Sequence, residues 1–121
     1  IVRAALESIA FQSRDVLNLM EEETGIKTET LMVDGGASAN NFLMQFQADM
    51  LQARINRSPI EEASALGAVL MGGLALNRWP DLNAITALRT ENDYITPKMP
   101  DTKADALYSE WKRAVKRTLF K

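Results

Sequence analysis

A chain of 121 residues, 46% hydrophobic and 25% charged, has room for one domain with a modest core, and its composition is that of an ordinary globular protein. With neither cysteine nor histidine it excludes disulfides, a thiolate nucleophile and the ligands that zinc favours, and it leaves no side chain that ordinarily titrates near neutral pH. The net charge of -2 is uneven: seven basic and three acidic residues lie from Lys98 onward, leaving seven and thirteen before it. A solvated helix face accounts for such a basic tail without a nucleic-acid partner or a membrane.

The chain opens at Ile1 without a methionine, on residues already helical in pattern that include Arg3 and Glu7. This start reads as a cut through a longer chain rather than as a signal peptide. Val2, Leu6, Ile9, Ser13, Val16 and Met20 recur at helical spacing and predict an amphipathic helix of about 23 residues. Arg3, Glu7, Arg14, Asp15 and Glu22 fall on its outer face, and Thr24-Gly25 supplies the stop. Leu31–Val33 is apolar without alternation, as in a strand covered by helices on both faces.

After a double glycine, Asn40 to Leu51 predicts a helix with Phe42, Leu43, Phe46, Met50 and Leu51 inside and Gln45, Gln47 and Asp49 outside. A second short strand fits Arg54–Arg57. Ser58-Pro59-Ile60-Glu61 matches a capping box, and a later helix start near Ala63-Ser64 is equally compatible. The 14 uncharged residues from Ala63 to Leu76 fall short of the ~20 that a membrane span needs. Ala65, Ala68, Gly72 and Ala75 share one face of that helix, which predicts close packing against a neighbour. Residues 78–100 read as an irregular connector, and 101–120 as a final helix with Ala104, Tyr108, Trp111, Val115 and Leu119 on its buried face. The order of elements predicts an α/β domain with short parallel strands flanked by crossover helices.

The Gly35-Gly36 pair is the centre of this arrangement. Glycines between a strand and a helix permit unusual dihedrals and let a flat or charged ligand reach main-chain N–H groups. The stretch is neither a Walker loop, since no Gly-Lys-Ser/Thr follows, nor a dinucleotide fingerprint, since the third glycine is missing. From the residues alone, two readings stay open: a ligand-binding turn, or a corner that needs glycine. Asp34 suits hydrogen bonds to the turn amides, with a place facing a ligand as the alternative, and Asn40 offers an amide near the helix start.

The run Val33-Asp34-Gly35-Gly36-Ala37-Ser38-Ala39-Asn40-Asn41-Phe42-Leu43-Met44-Gln45-Phe46-Gln47-Ala48-Asp49 closely resembles the adenosine motif of the glycerol kinases in the FGGY carbohydrate kinase family. Glu62-Ala63-Ser64-Ala65-Leu66-Gly67-Ala68 and Tyr108-Ser109-Glu110-Trp111-Lys112-Arg113-Ala114-Val115 resemble two later segments of the same family. Departures are Ser58 within the family's Arg-Pro, Ala63-Ser64 for Thr-Thr, and Val69 and Asn77 for the commoner Ala and Gly.

The resemblance implies the C-terminal portion of the second domain of an actin-like ATPase (ribonuclease H-like) fold, in an enzyme that transfers the ATP γ-phosphate to glycerol. Gly36 would then meet the nucleotide through its backbone, Asn40 would lie against the adenosine, and Gly35 would make the turn possible, with Ala37 and Asn41 beside them. The catalytic base, the glycerol-binding residues and most of the Mg2+ binding would lie outside this chain, so the expected cofactor is ATP or ADP and no catalytic or metal-ligating residue is expected here. The resemblance also implies a cytoplasmic, homo-oligomeric enzyme. Alternatives are another sugar kinase of the family, or a non-enzymatic module acting through the basic residues from Lys112 to Lys121.

Overall fold

The computed structural model describes residues 1–58, 63–88 and 93–119. Helix α1 (Val2–Thr24) leads into strand β1 (Thr30–Val33), a one-turn 3-10 helix (Gly36–Ala39), α2 (Asn41–Leu51) and β2 (Arg54–Arg57). Helices α3 (Ala63–Ala75) and α4 (Leu82–Thr86), strand β3 (Asp93–Ile95) and α5 (Asp101–Leu119) complete it. The sheet has the order β1-β2-β3, with β1 and β2 parallel and β3 antiparallel to β2. Residues 78–100, read from sequence as irregular, thus contain a short helix and a third strand. Ile95 secures that strand by facing Ile55 across the ladder, where the pair shares the core.

Helix α2 is the hub. Leu43, Met44 and Ala48 join Ile55 of β2 in one buried cluster, against which Leu6, Leu31, Val33 and Ile95 pack. Phe46 and Met50 join Ala10 and Ala104 in a second cluster between α1 and α5. There Phe11 meets Phe46 edge-on at 5.5 Å and stacks on Trp111 at 5.4 Å. Because α2 has neighbours on three sides, Gln47 and Asp49 are buried rather than outside as predicted. Their polarity is met inside. Gln47 Nε2 donates to Ser13 Oγ of α1 at 3.3 Å, and Asp49 Oδ1 accepts from the Lys98 and Met99 N–H groups at 2.6 and 3.0 Å. Buried carboxylates persist only with such partners.

Three other expectations are corrected. In α1 the predicted apolar stripe is largely exposed, with Ile9, Val16 and Met20 all facing out. The α5 contact uses the adjacent face instead: Arg14 Nη2 donates to Asp105 Oδ1 at 2.5 Å, and Asp15 accepts from Tyr108 OH at 2.5 Å and Trp111 Nε1 at 3.0 Å. Among the described residues strand β1 is covered on one face only, since Met32 is 60% exposed while Leu31 and Val33 pack against the core cluster of α2 and β2. In α3, Ala65, Ala68, Gly72 and Ala75 are not buried, so no described part of this chain closes on that face.

The close approach on α3 is made at a different glycine. A Cβ on Gly73 would lie 1.9 Å from the Trp79 ring, which folds back over the helix. Helix α3 then ends in a Schellman motif: Arg78 N–H donates to Gly73 O at 2.8 Å and Asn77 N–H to Leu74 O at 3.0 Å. Asn77 has φ of +55°, which explains how asparagine stands where the family commonly has glycine. Of the proposed capping box, Pro59, Ile60 and Glu61 lie outside the described residues, as does residue 120 of the final helix. That helix otherwise buries Ala104 and Tyr108 and exposes Lys112, Arg113, Lys116 and Arg117 as expected, although Leu119 is exposed.

Candidate functional site

The chain leaves β1 at Val33 and must turn sharply to enter α2. Gly35 makes the turn with φ 81° and ψ 172°, a region essentially closed to residues with a Cβ. Gly36 does not need its freedom in the same way. Its φ is ordinary, and a Cβ there would meet nothing within 4 Å. Gly35 is therefore explained by the backbone and Gly36 is not; what Gly36 keeps open is the space on the outer side of the turn.

The conformation is fixed from behind. Ser38 is buried, and both its hydroxyl (2.7 Å) and its N–H (3.0 Å) donate to the Gly35 carbonyl. Asn40 N–H donates to Ala37 O at 3.2 Å and closes the 3-10 turn. These bonds consume the later amides, whereas the Gly36 and Ala37 N–H groups donate to no described residue. Two adjacent N–H groups on exposed residues, with no acceptor among the described residues, are chemically suited to an anion or a ribose oxygen.

Asn40 is the N-cap of α2. Its Oδ1 accepts from Leu43 N–H at 3.0 Å, satisfying one of the helix's orphan donors. Only the amide NH2 end of this exposed side chain is left to face a ligand. Asp34, expected to steady the turn, is exposed and makes no hydrogen bond to another described residue; Ser38 takes that role. Gly35 and Asn40 thus bracket the 3-10 turn that Gly36 begins.

Arg57 did not stand out in the sequence. Its guanidinium pairs with Asp93 of β3 (Nε to Oδ2, 2.9 Å) while Nη1 donates to Ser38 O at 3.0 Å and Asn41 Oδ1 at 2.8 Å. The only signal was an arginine ending a short strand opposite the turn. Among the described residues no group of three or more carboxylates is placed to hold a metal ion.

The model of the "FGGY family of carbohydrate kinases, C-terminal domain" matches residues 1–76. The chain belongs to the FGGY family. Among its relatives, the glycerol kinase of Alkaliphilus metalliredigens and glycerol kinase 2 of Thermotoga maritima are each 50% identical over 119 residues, which is 98% of this chain and 24% of theirs. The crystal structure of Plasmodium falciparum glycerol kinase with ADP superposes with a TM-score of 0.87 at 36% identity, covering 100% of this chain and 24% of that one. The chain therefore spans about a quarter of the length of the relatives it matches. Its helices and small mixed sheet are part of the actin-like ATPase fold of the FGGY family, as the sequence implied.

Proposed function

We propose that this chain is the adenine-nucleotide side of a glycerol kinase, contributing the adenosine-binding turn to ATP-dependent phosphorylation of glycerol to sn-glycerol 3-phosphate. The observation that carries the reading is the division of labour in the double glycine. Gly35 serves the fold, whereas Gly36 leaves open a space that the fold does not use, beside two N–H groups with no acceptor among the described residues. The likeness to a glycerol kinase solved with ADP supports a nucleotide as the occupant.

In this reading Gly36 meets the phosphate or ribose through its backbone, and the Asn40 NH2 donates to the adenosine. Catalysis of phosphoryl transfer rests on positioning and charge neutralisation by several parts at once. The family resemblance implies that this chain supplies one of these parts, and that Mg2+ and glycerol would be held mainly by groups outside it. The 121-residue chain alone is then inactive and binds ADP weakly. The setting we propose is a homo-oligomeric enzyme of the cytoplasm, where its substrate ATP is at hand.

An ADP titration of the isotopically labelled chain at two salt concentrations tests this. Saturable shifts confined to the amides of 35–40, insensitive to salt, are expected. Shifts centred on Lys112–Lys116 that vanish with salt would instead mark electrostatic polyanion binding by α5. Glycerol-dependent ADP formation by the chain alone would overturn the claim that it is inactive.

A further inference from the structure

We propose that Arg57 is a positioning residue for the nucleotide turn, an inference that rests on the reading above and adds to it the part that sets the turn's shape. Arg57 ends β2, directly across the ladder from Asp93. A cross-strand ion pair would account for the guanidinium if its contacts stopped there, but they do not. Nη1 leaves the sheet and donates to Ser38 O in the 3-10 turn and to Asn41 Oδ1 at the first residue of α2. Ser38 in turn holds the Gly35 carbonyl with two donors. An unbroken relay therefore runs from Asp93 through Arg57 and Ser38 to Gly35, the residue that leads into the unpaired Gly36 and Ala37 N–H groups.

Only the planar fork of arginine does this from one position. Its donors are fixed in direction and reach three acceptors on three elements, whereas a lysine ammonium at the same site reaches one or two. The side chain is 20% exposed, and its charge-assisted bond to Ser38 O is partly shielded from solvent. The sheet does not depend on them in the same way. Ile55, in the middle of β2, is fully buried, and the core cluster around it contains no part of Arg57.

The test compares the labelled chain with Arg57→Met, Arg57→Lys and Asn41→Ala, reading amide hydrogen exchange and ADP affinity. Ser38 and Asn40 amides, bonded within the turn, are expected to exchange roughly tenfold faster in Arg57→Met, as loss of a charge-assisted bond implies, while the Met50 and Ile55 amides keep their rates. ADP binding should weaken by about the same factor. Arg57→Lys should restore neither fully. Should Arg57→Met fail to fold, Asn41→Ala removes one anchor and predicts the same selective exchange on a smaller scale.

Unchanged Ser38 and Asn40 exchange, or full rescue by lysine, would overturn the proposal and leave Arg57 as the ion-pair partner of Asp93. An unsubstituted chain that shows no ADP response would overturn the nucleotide reading instead. The exchange data would still decide whether Arg57 shapes the turn.

Discussion

Replacing each glycine of the pair by alanine separates a glycine kept for the fold from one kept for a ligand. At Gly35 the φ of 81° with ψ of 172° lies where a Cβ is tolerated only under strain, which costs about 1–3 kcal/mol. No neighbour lies within 4 Å of the added methyl, so packing neither adds to that cost nor relieves it. Gly36 begins the 3-10 turn with an ordinary φ and open space around its Cβ. Gly36→Ala should therefore leave stability unchanged or raise it by about 0.4–1 kcal/mol, because alanine has fewer unfolded states to lose.

Thermal unfolding followed by far-UV circular dichroism measures both. For a domain of this size a loss of about 2 kcal/mol lowers Tm by roughly 6–12 °C, well outside error. The ligand ranking should be the reverse of the stability ranking, with ADP binding abolished in Gly36→Ala because the methyl fills the space that the nucleotide needs. If Gly36→Ala destabilises as much as Gly35→Ala, or binds ADP normally, the division of labour between the two glycines is wrong.

Three further outcomes follow from the packing. Asp49→Ala should cost about 2–4 kcal/mol in the same unfolding assay, because it strands the Lys98 and Met99 N–H groups, while Asp49→Asn, which keeps an acceptor, should cost less than half of that. Gly73→Ala should expel the Trp79 ring, visible as a red shift in tryptophan emission, with a small change in global stability because α3 contains no buried residue among those described. Tyr108, desolvated and donating to Asp15, has its pKa pushed up from 10.0 to about 12. Its neutral form is the one the fold favours, so its contribution is whole below pH 10 and is lost as the pH rises through about 12. A spectrophotometric titration should show a tyrosine ionising near there, and Tyr108→Phe should remove that step.

Local signals in the sequence carried well wherever short-range chemistry decides the outcome. Gly25 ends α1 in the left-handed region with its N–H on Glu21 O, and the 23-residue length follows from that stop. The glycine turn, most of the apolar stripe of α2, and the short strands that pair in parallel as β1 and β2 were legible for the same reason. What failed depended on partners far away in sequence. Gln47 and Asp49 looked like surface residues until α1 and the 98–99 backbone supplied their hydrogen bonds. The small-residue face of α3 and the Ile9, Val16 and Met20 stripe of α1 predicted burial, yet no described element of this chain covers them. At the site, Gly35, Gly36 and Asn40 stood out by residue type. Ser38 and Arg57 did not, because their roles consist of hydrogen bonds that only the fold assembles.

The most direct test of the nucleotide role is to install this chain in place of the corresponding quarter of Thermotoga maritima glycerol kinase 2, with which it is 50% identical, and to measure glycerol-dependent ADP formation. The expected result is an active chimera whose KM for ATP rises sharply on Gly36→Ala while its melting temperature does not fall. A folded chimera that binds glycerol but neither binds ADP nor turns over would contradict it.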